Sequence, residues 1–413
     1  MDVVQAASRY RWVILGLGFL GQFTNSLAFQ SVAPLAPLFQ PELGLNKTEV
    51  GLFSSILFAG QWALLLVAGT LTDRFGVRIT LAVGLAVIGS SLIFMSQAAT
   101  FQQALVVMFA AGVGSSGVLP AVTKAIVDWF PSRVRGTVMG IKQAAVPVGG
   151  VVTAALLPSV ALALGWRNAI ASVGFVGIAC AAATLLYYRD VPRLSAASVH
   201  NESMRDGLGA VLRNRRLWQL SLVSVLFVGV QMALTTYLAL YLEEDVLVTV
   251  LPDRSARVVA SGGFLAVCQL GGAMGRVFWG ALSDRVFHGR RMVVLMTTGI
   301  LTVACSLVTS RLSPAFPFWL LSGIVFLYGV CGVGWNGLYH VAMAETAGQQ
   351  RAATGVGLSM TLNQIGTFSG PPLFGFVVDA SGSYQTAWLL MACEALVGTG
   401  MAALNMKGEI PLA

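Results

Sequence analysis

Two positive charges in otherwise apolar surroundings set the chemical question posed by this chain. Arg276 lies inside residues 269–291, QLGGAMGRVFWGALSDRVFHGRR, whose first half is apolar and glycine-rich and whose second half is a turn with an acid and several arginines. A full charge at the middle of a membrane helix costs at least ~2.5 kcal/mol, so it is normally retained for a partner or a ligand. A guanidinium can hold a carboxylate through two parallel hydrogen bonds, which an ammonium cannot. The bland alternative for Arg276 is a structural ion pair near the membrane edge. Lys142, beside Gln143, is the second such charge. Its alternative is snorkelling, because its stem could reach the interface. Lys124 is weaker, since Asp128 follows four residues later on the same helical face and a local pair explains it. No carboxylate stands within the apolar runs that carry these cations: Glu345 and Asp379 fall at the ends of other runs, and Glu394 lies within the last run. Uncompensated positive charge favours an anionic substrate.

The elements that must position these side chains are membrane helices. Of 413 residues 56% are hydrophobic and only 10% charged, against about 25% charged in ordinary soluble domains. Twelve apolar runs of spanning length occur, near 12–33, 50–72, 79–97, 101–127, 137–163, 168–188, 217–241, 257–282, 292–310, 316–341, 354–378 and 385–405. None alternates with the period of two expected of a barrel strand. The expected fold is an all-α membrane protein with twelve transmembrane helices in two six-helix bundles. The bundles would comprise residues 1–188 and 217–413, joined by a polar, basic cytoplasmic linker at 189–216. The second part of that linker could lie on the membrane surface as an amphipathic helix.

Placing the N-terminus in the cytoplasm leaves Lys47, Arg167, Arg254, Arg257 and Arg311 on the outer side and Lys124, Lys142 and Arg276 within spans. Every other Lys and Arg falls on the cytoplasmic side, which is the positive-inside pattern with both termini inside. The formal charge of +8 therefore orients the chain instead of forming a nucleic-acid patch. No cleavable signal peptide is evident. Cys180, Cys268, Cys305, Cys331 and Cys393 fall inside apolar runs without metal-ligand spacing and read as packing residues. No phosphate loop, nucleophile constellation or metal set argues for an enzyme, and no cofactor is expected.

One turn occurs twice, half a chain apart: GTLTDRFGVR at 69–78 and GALSDRVFHGRR at 280–291. Gly69, Asp73, Arg74, Gly76 and Arg78 in the first copy, and Gly280, Asp284, Arg285, Gly289, Arg290 and Arg291 in the second, resemble the loop motif of the major facilitator superfamily. The resemblance covers essentially the whole chain and implies pseudo-two-fold symmetry and alternating access. It also implies a cytoplasmic gate role for the repeated turn, in which glycine permits close helix approach and the Asp accepts from a helix N-terminus and pairs with Arg. Residues 112–150, with Pro120, DWFP and an Arg-Gly, resemble bacterial organic-anion members. Met108 departs from the Arg that many proton-coupled members carry there, and Pro147, Gly149 and Gly150 match the antiporter signature only partly. Around Arg276, GRVFWGALSDR resembles the oxalate and monocarboxylate branches, where an Arg at this place binds the substrate carboxylate. Asn363 and Gln364 stand where oxalate exchangers carry a second cation.

Polar and aromatic residues expected to complete a pocket are Gln22, Asn25, Gln231, Tyr237, Gln269, Trp335, Asn336, Tyr339, Asn363 and Gln364, with Gln143 beside Lys142. Lipid offers amides no hydrogen-bond partner, so they are expected to turn inward. The resulting expectation is a monomeric secondary transporter of a small organic anion in the bacterial inner membrane, working by proton symport or by anion exchange. The alternative is proton-coupled efflux of drugs or other lipophilic compounds, which predicts an acid in the cavity.

Overall fold

A computed structural model describes residues 2–190, 213–348 and 352–404. The second part of the expected linker, and the surface helix anticipated there, lie outside the described residues. Among these residues the regular structure is helical. Eleven helical stretches are long and apolar enough to cross a membrane, and the chain is an all-α membrane protein. The exception among the twelve expected runs is 354–378. It sits in a 30-residue helix, Ala352–Ser381, whose Ser, Thr, Asn and Gln residues and two prolines dilute its apolar character. Large apolar side chains such as Leu186, Val277 and Trp319 are more than 70% exposed, as suits a surface that faces hydrocarbon.

By contacts the chain divides into two units: Met1–Leu45 with Phe53–Ser195, and Asn46–Leu52 with Ala196–Ala413. The first holds α1 (Asp2–Gln30), α2 (Val32–Glu42), most of α3 (Lys47–Phe75), α4 (Val77–Met95), α5 (Phe101–Ser116), α6 (Val118–Trp129), α7 (Ser132–Leu164) and α8 (Trp166–Tyr187). The second holds the start of α3, then α9 (Arg215–Tyr241), a π-helical turn (Leu242–Val246), α10 (Arg254–Arg285), α11 (Arg291–Thr309), α12 (Phe318–Gly332), α13 (Asn336–Ala347), α14 (Ala352–Ser381) and α15 (Tyr384–Leu404).

The two units pack their helices in the same internal order, and small residues explain why. In the first, α3 meets α5 where a Cβ at Gly60 would strike the Phe109 carbonyl and one at Gly112 the Leu57 carbonyl. In the second, α10 meets α12 through Gly271 at the Phe326 carbonyl and Gly329 at the Cys268 carbonyl. Likewise α4 lies on α8 and α11 on α15, while α1 lies on α7 and α9 on α14. Apolar burial drives little association in lipid, so such close backbone approach supplies the packing.

Irregularities also recur. The fourth expected run breaks at Gly117 into α5 and α6, and the tenth breaks at residues 333–335 into α12 and α13. Gly117 itself keeps helical dihedrals, φ −79° and ψ −23°, and the bond missing at the first break is the one that Pro120, without an N–H, cannot give the Ser116 carbonyl. The ladder resumes at once, with Ala121 N donating to the Gly117 carbonyl at 3.2 Å. The first run extends to Glu42 instead of ending near 33, because Pro34 falls in the opening turn of α2 and that helix carries on through Pro37 and Pro41. Gly- or Pro-interrupted spans at corresponding places in two repeats are the sequence pointer to a transport site.

Candidate functional site

In the first unit the site is built on α1, α6 and α7. Lys142 is 3% exposed, and its Nζ donates to Thr123 Oγ1 at 3.2 Å. No ion pair to Lys142 is found among the described residues. Ser26 donates to the Val146 carbonyl at 2.7 Å, which fixes the register of α1 on α7. Gln22 and Lys142, each four residues earlier, therefore fall at one level. Gln22 Oε1 and Asn25 Oδ1 are buried with no hydrogen-bond partner among the described residues. Gln143 is exposed, on a different face of α7 from Lys142. Lys124 pairs with Asp73 of α3 at 3.0 Å. Besides the expected Asp128, on which Lys124 acts one turn along the same helix, the end of α3 thus brings a second carboxylate to this side chain.

In the second unit the corresponding polar side chains come from α9, α10, α13 and α14. Arg276 of α10 is half-buried, and its Nε is shut from solvent without a hydrogen-bond partner among the described residues. It lies near His340 of α13, whose Nδ1 is also buried and has no hydrogen-bond partner among the described residues. Where α10 runs beside α13, a Cβ at Gly337 would lie 3.7 Å from the Arg276 carbonyl. Asn336 donates to Gln231 Oε1 at 2.8 Å, joining α13 to α9. Trp335 packs edge-on to Phe227 and Tyr339, and its Nε1 lacks a partner among the described residues. Ser224 donates to Asn363, and Tyr339 shares a hydrogen bond with Ser359. Gln364 Oε1 is a further buried acceptor without a partner among the described residues, while Gln269 is buried and engaged. Tyr237 is fully buried at the far end of α9, where its hydroxyl donates to the Lys47 carbonyl and its ring stacks on Phe374.

Burial alone does not explain the bare cations. Arg291 is 8% exposed and pairs with Asp284 and, at 3.3 Å, with Glu345. Arg257 faces Glu243 at 3.6 Å. Removing a cation from water needs such compensation. Lys142 has a hydroxyl and Arg276 has no ion pair among the described residues, so both keep charge that an anion could complete.

The repeated turns are anchored differently. In the first, Gly76 has φ 86°, a left-handed conformation that glycine adopts without strain. The Asp190 carboxylate accepts from Val77 N at 2.8 Å. Arg78 donates its Nε to the Leu185 carbonyl at 2.9 Å. The helix start is thus capped by Asp190. Asp73 and Arg74 are exposed. In the second copy the left-handed residues are His288 and Gly289, and Arg291 gathers Ser283, Asp284 and Glu345. Arg285 is exposed. A Cβ at Gly69 or Gly280 would meet nothing within 4 Å, so the close approaches lie at the interior glycines described above.

Thr123, Asp190, Ser224, Ser359 and Glu345 are polar partners that the sequence pattern did not single out as such. Each is an ordinary residue for a helix face or loop, and only a neighbouring helix gives it a role.

The family model of the Major Facilitator Superfamily matches residues 18–371. The chain is 25% identical over 412 residues to a probable sulfoacetate transporter of Cupriavidus necator, covering 94% of this chain and 92% of that protein. It is 26% identical over 404 residues to a probable L-galactonate transporter of Escherichia coli, covering 92% and 86%. Its fold matches the crystal structure of a bacterial homologue of the human lysosomal transporter Spinster with a TM-score of 0.79 at 16% identity, covering 96% and 97% of the two chains.

Proposed function

The chain belongs to the Major Facilitator Superfamily and is a transporter, and on that premise we propose that it moves a small organic anion, a carboxylate or sulfonate, by alternating access. The observation that carries this reading is the pair of interior cations, Lys142 and Arg276, which have no carboxylate partner among the described residues although Arg291 and Arg257 do. Arg276 supplies a planar fork for an anionic head group. Lys142, oriented by Thr123, supplies a point charge. The unpartnered amide oxygens of Gln22, Asn25 and Gln364 accept from hydroxyls, which suits a hydroxylated acid. Relatives named for sulfoacetate and L-galactonate support the same class. Transport is by proton symport or anion exchange, in a bacterial inner membrane with both termini cytoplasmic and the repeated turns serving as the cytoplasmic gate.

Proteoliposome counterflow across labelled sulfoacetate, galactonate, hexuronates, simple mono- and dicarboxylates, inorganic anions and organic cations tests it. Uptake of an organic acid, weakened by Arg276→Lys and by Lys142→Gln in correctly folded protein, is expected. Uptake confined to organic cations or neutral lipophiles overturns the reading in favour of efflux.

A further inference from the structure

Glu394 stands apart from every other acid near the interior of the second unit. It lies mid-way along α15, on the border between the buried residues Met391, Ala395 and Gly398 and the exposed residues Leu396 and Val397. Its carboxyl is seated against Gly229 of α9, where a Cβ would come within 2.5 Å of Oε1. Oε2 is buried and has no hydrogen-bond partner among the described residues. Gly229 is itself in close contact with α14, since a Cβ at Gly370 would strike the Gly229 carbonyl. The carboxyl therefore sits where α9, α14 and α15 meet, while Thr399, five residues further along α15, packs against Gly299 of α11.

Among the described residues no cation answers it. The titratable or charged side chains of α9 are Arg215, Arg216, Tyr237 and Tyr241, those of α11 are Arg291 and Cys305, that of α14 is Asp379, and those of α15 besides Glu394 are Tyr384 and Cys393. None forms a hydrogen bond or ion pair with Glu394 among the described residues, and Asp379 is engaged with Lys47 and Thr48. An ionised carboxylate away from water and without a cation is strongly disfavoured. A neutral carboxyl against a glycine is tolerated.

We propose that Glu394 is a proton-binding site that holds the coupling proton while α9, α14 and α15 are packed as here, and releases it when that junction opens to water. The step is a simple dissociation: the O–H bond breaks, the electron pair stays on the carboxylate, and the proton passes to water. Once ionised, the carboxylate disfavours re-closure of the junction. α9 also carries Gln231 and α14 carries Asn363 and Gln364, so opening of the junction is felt by those candidate substrate residues. The coupling half of this inference rests on the transport reading above, whereas the proton-binding half does not.

The test uses the full chain in lipid, with the proton as the probe. Infrared difference spectra between acid and alkaline pH are expected to show a protonated-carboxyl stretching band that titrates in the wild type and is missing in Glu394→Gln. The thermal midpoint of the wild type is expected to fall as pH rises, while that of Glu394→Gln, which resembles the neutral acid in shape, stays level. A band that never titrates, or one unchanged in the variant, overturns proton binding whatever the substrate. With whichever labelled acid shows counterflow, Glu394→Gln should retain counterflow and lose accumulation driven by a pH gradient. Accumulation equal to the wild type overturns the coupling role, whereas loss of counterflow for every acid in the wild type would fault the substrate reading alone.

Discussion

Lys142 and Arg276 meet the membrane interior in different ways. Lys142 is enclosed between α6 and α7 and leans on one hydroxyl, Thr123. Arg276 is less enclosed, lies along α13 and its His340, and leaves its Nε unpartnered among the described residues. The repeated turns differ in a parallel sense. Asp73 and Lys124 form an exposed pair, while Asp284 belongs to a clamp around the nearly buried Arg291. A duplicated scaffold has thus kept its helix packing while its charges have taken unlike partners. Charges at corresponding turns need not do corresponding work, and measurement can rank them together with Lys142 and Arg276, which lie on helices that do not correspond.

The largest effect is expected at Arg276. Arg276→Lys keeps the charge and loses the fork, and should raise KM for the transported acid by about tenfold to a hundredfold, as expected for loss of one charge-assisted hydrogen bond. An unchanged KM would place Arg276 outside the substrate path. At Lys142 the donor is single, so Lys142→Gln should raise KM by about tenfold, and Lys142→Arg should recover less than half of the loss because the enclosed position does not fit a broader head group. Equal effects at Lys142 and Arg276 would erase the proposed division between point charge and fork.

Next comes the second turn. Asp284→Asn strips the buried Arg291 of one carboxylate, and about 1–2 kcal/mol of stability should go with it, less than for a fully buried pair because Asp284 is itself largely exposed. The readout is the thermal midpoint in detergent, with Glu345→Gln added to test whether the two acids share the load. The smallest stability effect is expected for Asp73→Asn, below about 1 kcal/mol, because its pair with Lys124 is solvent-exposed. Should Asp73→Asn destabilise more than Asp284→Asn, the contrast between the turns is reversed.

Much of the fold was legible because lipid simplifies the physics. A segment that crosses hydrocarbon must satisfy its own backbone, so length and apolarity almost specify a helix, and the runs near 79–97, 168–188 and 292–310 reappear as α4, α8 and α11. The α14 run is the instructive exception, since its Asn363, Ser359 and Gln364 make it less apolar and its partners on α9 and α13 explain why it can be so. At the candidate site, residue type was readable and partnership was not. Lys124 has Asp128 one turn along its own helix, and the spacing does not reveal that Asp73 of another helix joins it at 3.0 Å. Nothing in the spacing of Asp190 reveals that its carboxylate caps α4.

The sequence by itself determined that this is a duplicated bundle of membrane helices holding a few charges that hydrocarbon resists, because hydrophobicity, helical length and the cost of burying charge are local properties. The tertiary structure alone decided which of those charges are answered. Arg291 found two acids, Lys142 found a hydroxyl, and Glu394 found the bare backbone of Gly229. Apart from Arg291 with Asp284 inside one turn, these pairings join different helices, and they depend on glycine-mediated contact and helix register.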